Sequence, residues 1–168
     1  MRVLGIDPSL QSTGFGIIES DGADAKPIAF GIIKPTAGLP LHRKLHEIKT
    51  EIERLILTYA PDEAAVENPF LARNVKTAML LGQVRGAVLV AIAGQACRFS
   101  EYSALEIKKA VTGYGQAEKD QVAAMVRTLL GLADDAAIPL DASDALAAAI
   151  CHLNTRLSNI KVEDGGPA

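Results

Sequence analysis

Residues 2–18 read as an apolar run, one acid, a turn and a second apolar run: Arg-Val-Leu-Gly-Ile-Asp-Pro-Ser-Leu-Gln-Ser-Thr-Gly-Phe-Gly-Ile-Ile. Val3 to Ile6 is too continuously apolar for a strand with one wet face, so it belongs in the middle of a sheet covered on both sides. A fold built round such a strand puts Asp7, its only charge after Arg2, at the centre of the molecule. Pro8 biases Asp7 toward extended backbone. Gly5, two residues earlier on the same face, leaves room beside the carboxylate that suits a metal or a phosphate. A lone Asp-Pro fits equally well an acid that merely opens the turn through an Asx-type hydrogen bond. Other acids have to decide between the two.

Asp21-Gly22 marks a turn, and residues 27–34 form a third strand whose Pro27 suits a sheet edge. Three consecutive strands make an antiparallel meander. Leu41, Leu45, Ile48, Ile52, Leu55, Ile56 and Tyr59 then recur at helical spacing, with one face for the sheet. His42 and His46 in this helix stand at i and i+4, a spacing that can grip zinc. No glutamate follows the first histidine, and Arg43 and Lys44 lie beside it, so the signal is weak. Pro61 ends the helix. Residues 62–67 return as a strand parallel to the first, which puts Glu67 at its carboxyl end, the edge where open α/β sheets bind ligands. Asn68-Pro69-Phe70 makes a turn with an aromatic at its tip. Residues 73–93 form a long helix. Its apolar part, residues 78–96, contains Gln83, Arg85 and three glycines and reads as a buried helix rather than a membrane span. Gly82 and Gly86 leave a groove that fits either packing on the sheet or self-association.

Residues 96–101 form a fifth strand, and a short helix then carries Lys108 and Lys109 up to the loop Thr112-Gly113-Tyr114-Gly115. Paired lysines before a glycine-rich loop suit phosphates, although a solvated helix end favoured by the helix dipole is the commoner meaning of such a pair. In the next helix Val122, Met125, Val126, Leu129 and Leu130 share a buried face, with Lys119 and Arg127 off it. The last helix, residues 140–157, is alanine-rich and opens with Asp141 and Asp144. Three residues apart, they share one face if both are helical; alternatively Asp141 is the N-cap and Asp144 only complements the dipole.

A chain of 168 residues with 49% hydrophobic content can bury a full core in a single domain. Its net charge of −3, from 17 basic and 20 acidic residues, excludes a protein that coats nucleic acid by bulk charge. Any DNA contact must rest on a local basic patch. Cys97 and Cys151 form no Cys-x-x-Cys pair, and the N-terminus enters a strand instead of a signal peptide, so a cytoplasmic protein with no membrane association is expected.

Asp7, Glu67, Asp141 and Asp144 can converge, because a C-terminal helix laid across the sheet centre brings them together. Packed carboxylates repel and raise each other's pKa, so such a cluster is stable around a divalent cation. Oxygen-only donors select a hard ion, Mg²⁺ or Mn²⁺. Two such ions can clamp the attacking and leaving oxygens of an in-line phosphoryl displacement.

The segments Gly5-Ile6-Asp7-Pro8-Ser9 with Thr13-Gly14-Phe15-Gly16, Val66-Glu67-Asn68-Pro69-Phe70, Leu81-Gly82-Gln83-Val84-Arg85-Gly86, Gly115-Gln116-Ala117-Glu118-Lys119 and Asp141-Ala142-Ser143-Asp144-Ala145-Leu146-Ala147 form an ordered set. Together, from Arg2 to Leu157, they resemble the RuvC family of Holliday-junction resolvases, within the ribonuclease-H-like superfamily. Each motif alone is weak; their order and intervals are specific. Ser9 departs from the family, which usually has glycine after the Asp-Pro; this should tighten the turn but removes no ligand.

The resemblance implies an α/β, ribonuclease-H-like fold: a five-stranded mixed sheet, an antiparallel meander of three strands plus two parallel strands, flanked by helices. The nuclease domain would span residues 1–158, with 159–168 a disordered tail. It further implies a homodimeric endonuclease, each subunit cutting one strand of a four-way DNA junction. Asp7, Glu67, Asp141 and Asp144 would bind two Mg²⁺ per subunit, with Mn²⁺ able to substitute, and Lys119 would lie by the scissile phosphate. Phe70 would stack on an unpaired base, with Arg73, Lys108, Lys109, Tyr114 and Lys119 as further DNA contacts. The branch-migration complex RuvA and RuvB is the implied protein partner. An ATP-binding kinase or actin-like protein shares the strand, Gly-x-Asp, turn and Thr-Gly pattern but needs a second such domain, and this chain has one hairpin. The small ribonuclease-H-like family acting on ribosomal RNA precursors shares the first motif; the Phe70 loop and the glycine-bearing helix favour the resolvase. The presence of all four acids argues against a junction-binding module without catalysis.

Overall fold

The computed structural model describes residues 1–68, 74–133 and 136–164, the last eight of these by backbone alone. The chain begins with a hairpin, β1 (Arg2–Asp7) and β2 (Thr13–Ser20), and continues into β3 (Ala25–Ile33). After α1 (Leu41–Tyr59) come β4 (Glu63–Asn68), α2 (Val75–Gly94) and β5 (Arg98–Ser103). Three helices end it: α3 (Ala104–Thr112), α4 (Lys119–Leu129) and α5 (Leu140–Asp164). The sheet order is β3-β2-β1-β4-β5, with β1 and β3 antiparallel to β2 and with β4 parallel to both β1 and β5. The apolar strand is therefore central, and the strand bearing Pro27 is an edge, where a proline breaks no ladder on its free side. The ladder slips between Ile17 and Ile18, opposite Pro27.

Alternation along the strands sorts the core into two layers. Leu4, Ile6, Ile17, Ala64 and Val66 face α1 and α2, meeting Ile48, Ile52, Val84, Val88 and Ile92. Val3, Ile18 and Ala65 face α5, α3 and α4, meeting Leu146, Ala148, Ala149, Ile107 and Val126. Each fully buried Leu, Ile or Val contributes roughly 1.5–3 kcal/mol relative to exposure. Local signals set the helix ends. Asn74 caps α2 by accepting from Thr77 N–H at 2.9 Å, and Ser103 and Glu106 form a capping box on α3. Ala60 closes α1 in the left-handed region, just before Pro61.

Three expectations change. The space above Gly5 is not open: a Cβ there would meet the Ala145 carbonyl oxygen at 1.9 Å and the Ala149 nitrogen at 2.9 Å. Glycine at this position seats the α5 backbone directly on the sheet, so it serves helix packing instead of a ligand. Second, α2 is buried along one stripe only, leaving Val75 76%, Met79 64% and Val90 58% exposed. It is long and apolar enough to cross a membrane by length and composition, yet Arg85 ties it to the sheet through a bidentate pair with Glu101 of β5, both contacts 2.6 Å. Third, α5 runs on to Asp164, where a tail from residue 159 was expected; Lys161 to Asp164 contain no breaker, and the first glycine is Gly165. The tail expectation for residues 165–168 lies outside the described residues.

Candidate active site

β1 and β4 are paired with Ile6 opposite Val66, so Asp7 and Glu67 occupy the next rung, on strands spaced by about 4.8 Å. Both follow the parity of Gly5 and Ala65 and therefore face α5. Gly14, on the α5 side of β2, would place a Cβ 1.9 Å from the Asp141 carbonyl oxygen, which fixes the first turn of α5 over the same end of the sheet. Asp141 and Asp144 are both helical, since Ser143 N–H already bonds Pro139 O at 2.9 Å and α5 begins at Leu140. The N-cap reading of Asp141 is thereby replaced by the shared-face reading. Four acids from three elements meet at one edge.

Their electrostatics show the crowding. The Asp7 carboxyl is pushed up to about 7, by burial first and then by Glu67, Asp144 and Asp141, with Lys119 opposing them. Glu67 is also raised, by burial first and then by Asp144, against the pull of Lys119 and Lys108. The Lys119 ammonium stands 3.1 Å from Asp144 Oδ2 and its pKa is raised by that bond. Lys119 itself is the first residue of α4, where its side chain is 70% exposed and free to swing.

A pocket of about 190 Å³ beside the acids is lined by Glu67, Asp144, Lys119 and Lys108 together with Ala104, Ile107 and Val122. Of the lysine pair, Lys108 faces the acids; Lys109 lines a separate open groove with Glu106, Cys151 and Asn154. Tyr114 is 61% exposed on the loop after α3, which turns at Gly113 with φ of +77°. Phe70 and Arg73 lie outside the described residues. A larger cleft, about 480 Å³, lies at the other face of the sheet between β3 and α1 and includes His46 with Glu47, Arg54 and Lys34. It holds none of the four acids.

The donor set is all carboxylate, which suits a hard divalent cation. Among the described residues no group of three or more acids, histidines or cysteines is already set around a common point. Mg²⁺ does not need one, because it keeps several waters and is held by one or two carboxylates plus substrate phosphate oxygens. The raised Asp7 and Glu67 values are what such a site gives without its countercharge.

Two features carried no clear sequence signal. Thr13, fully buried, staples the turn: its hydroxyl donates to Ser9 O at 2.5 Å and accepts from Ser9 N–H at 3.2 Å. Ser9 is not among the residues with positive φ, so its side chain is tolerated in the turn. Second, buried His152 of α5 bridges Tyr102 and Glu63, a polar link no local motif announces.

Known proteins resemble this chain in sequence and fold. Residues 3–152 match the family described as crossover junction endodeoxyribonuclease RuvC. The chain is 45% identical over 160 residues to the crossover junction endodeoxyribonuclease RuvC of Syntrophomonas wolfei, covering 95% of this chain and 92% of that one. It is 50% identical over 157 residues to the protein of the same name from Coxiella burnetii, covering 93% and 90%. Among solved structures, T. thermophilus RuvC in complex with Holliday junction substrate superposes with a TM-score of 0.89 at 32% identity, covering 95% of this chain and 96% of that one. With the acids, the sheet order and these likenesses in agreement over nearly the whole length, the chain belongs to the RuvC family of crossover junction endodeoxyribonucleases.

Proposed function

We propose that the chain is a structure-selective endodeoxyribonuclease that resolves four-way DNA junctions by metal-dependent phosphodiester hydrolysis, in homologous recombination and repair. The meeting of Asp7, Glu67, Asp141 and Asp144 at one sheet edge, in a chain of this family, carries the reading. Nucleases of the family are metal-dependent. Two Mg²⁺ per subunit, replaceable by Mn²⁺, fit the all-oxygen donors, and these four residues would hold them. When bound, the ions supply the positive charge a phosphodiester needs as negative charge builds on its oxygens.

The residues divide the remaining work. Asp7 and Glu67 sit on paired strands and give the site its rigid side. Asp141 and Asp144, on the opening turns of α5, give it the facing side. Lys119 rests on Asp144 and is exposed enough to turn its ammonium onto a phosphate, where it would stabilise developing charge. Lys108 adds a second cation beside Glu67. Tyr114, Lys109, Arg73 and Phe70 complete the proposed DNA contacts, with Phe70 stacking on an unpaired base near the cut.

Resolution of a junction needs two cuts, and a homodimer places two sites in fixed relation. The exposed face of α2 supports the second copy: a Cβ on Gly82 or Gly86 would meet nothing within 4 Å, and Val75 and Met79 stand exposed on the same helix. The RuvA and RuvB complex is the proposed protein partner and the cytoplasm the proposed location, both resting on the family. The test is to incubate the protein with labelled synthetic four-way junction, linear duplex and RNA, with and without Mg²⁺. Paired cuts in the junction alone, and only with the ion, are expected; equal cutting of linear duplex or of RNA would refute junction selectivity.

A further inference from the structure

His152 lies about two turns along α5 from Asp144 and is 1% exposed, yet both ring nitrogens are engaged. Glu63 Oε2 lies 2.8 Å from Nε2, and the Tyr102 hydroxyl lies 2.9 Å from Nδ1. A carboxylate only accepts, so Nε2–H donates to Glu63, and Nδ1 of the neutral ring accepts from the tyrosine. Burial lowers the His152 pKa, in keeping with a neutral ring. Arg156, one turn further along α5, holds the other oxygen of Glu63 at 3.1 Å. The Tyr102 and His152 rings meet edge to face with centroids 5.8 Å apart. Three elements, β4, β5 and α5, are tied at one point.

The position of that point matters. Glu63 opens β4 and Glu67 lies four residues on, about 13 Å along a strand. Asp144 and His152 are eight residues apart on α5, about 12 Å along a helix. Of the charged groups around it, Asp144 acts most strongly on Glu67, while Glu63 bonds His152. Strand and helix therefore run in opposite senses over a matched length, with acids meeting at one end and the histidine link closing the other. Alanine surfaces such as Ala145, Ala148 and Ala149 pack closely but offer little to stop sliding along the axis.

We propose that His152 is a positioning residue, a clamp on Glu63 and Tyr102 that sets how far α5 lies along β4 and so sets the spacing between Glu67 of the strand and Asp144 of the helix. The inference rests on the reading of these acids as the metal site. A shift of one ångström along the axis would be felt as misplaced ligands, not as lost fold.

The test compares His152→Leu, which cannot donate to Glu63, with His152→Gln, whose amide can reach the Nε2 position and still donate. Mn²⁺ binding to the DNA-free protein is measured by calorimetry, beside junction cutting as a function of Mg²⁺ and thermal unfolding. His152→Leu is expected to weaken Mn²⁺ binding about tenfold, in the range seen when outer-shell partners of metal sites are lost, and His152→Gln to restore most of it. Val126→Ala, a core truncation on α4, should lower the melting temperature while leaving Mn²⁺ affinity unchanged. Tyr102→Phe, which removes one hydroxyl, serves if the leucine variant does not fold, and should weaken binding about threefold. Mn²⁺ affinity within twofold of wild type in a folded His152→Leu or Tyr102→Phe overturns the clamp. Wild-type protein that neither binds Mn²⁺ nor cuts the junction overturns the functional reading, and the clamp with it.

Discussion

A Cβ on Gly14 would lie 1.9 Å from the carbonyl oxygen of Asp141, so an acid-bearing helix turn rests on bare strand backbone. Both partners are main chain, and neither can move aside as a side chain would. Gly14→Ala is expected to destabilise the protein by about 3 kcal/mol through overpacking, and to lift Asp141 and Asp144 away from Asp7 and Glu67. Cutting should fall further than stability alone accounts for. Denaturant midpoints and junction cleavage measured together check this; wild-type values in both would show that α5 does not bear on Gly14.

Asp7→Asn is nearly isosteric but removes a charge proposed to hold metal. The fold and junction binding, which rests on basic groups, should survive while cutting is abolished. Substantial cleavage by the purified variant in Mg²⁺ would remove Asp7 from the essential ligands.

The same residue gives a pH signature in the metal-free protein. Its folded value of about 7 lies above its ordinary 3.8, so between these the folded state holds a proton the unfolded chain has released. Stability present below the lower value is lost as pH rises through the upper one, by an amount on the order of 4 kcal/mol. In chelator, wild type should therefore melt progressively lower than Asp7→Asn as pH goes from 5 to 8. A gap between the two melting temperatures that stays constant over this range would contradict the assignment.

Gly82 and Gly86 border open space in the single subunit, as a close contact with a second copy requires. Gly86→Leu should leave the subunit folded and separate or distort the dimer, with loss of paired cutting. Sedimentation at micromolar concentration reads this directly; a monomeric wild type would require another route to two cuts.

Phe70 follows Glu67 by three residues in the sequence. Stacking on an unpaired base contributes about 1–3 kcal/mol, so Phe70→Ala should slow cutting roughly ten- to a hundredfold if the stack forms mainly in the distorted junction. A junction with unpaired bases at its centre should partly rescue the variant, with little change in melting temperature. A large drop in thermal stability, or no rescue, would point to core packing by Phe70.

Much of this was legible in the first 67 residues. An apolar run without polar alternation marked β1 as central, and Pro27 marked β3 as an edge, because burial and missing donors are local properties. The convergence of Asp7 and Glu67 followed from a parallel return that brings strand ends together. What stayed hidden depended on contacts between distant segments. Gly5 read as space for a ligand, since nothing nearby in sequence shows that Ala145 fills it. Glu63, Tyr102 and His152 each look ordinary, and only the tertiary arrangement makes them one network. α2 looked buried because its composition is apolar, but apolar surface can also be kept for another subunit, and composition does not say which.

The covering of β1 and β2 by α5 also orders the making of the enzyme. Two acids lie within the first 67 residues, and the other two lie on the helix that begins at Leu140. Until that helix leaves the ribosome, the growing chain has half a site and a bare strip at Gly5, Gly14 and Gly16 where its lid belongs. A chain cut short before it lacks two of the four acids and leaves that strip uncovered.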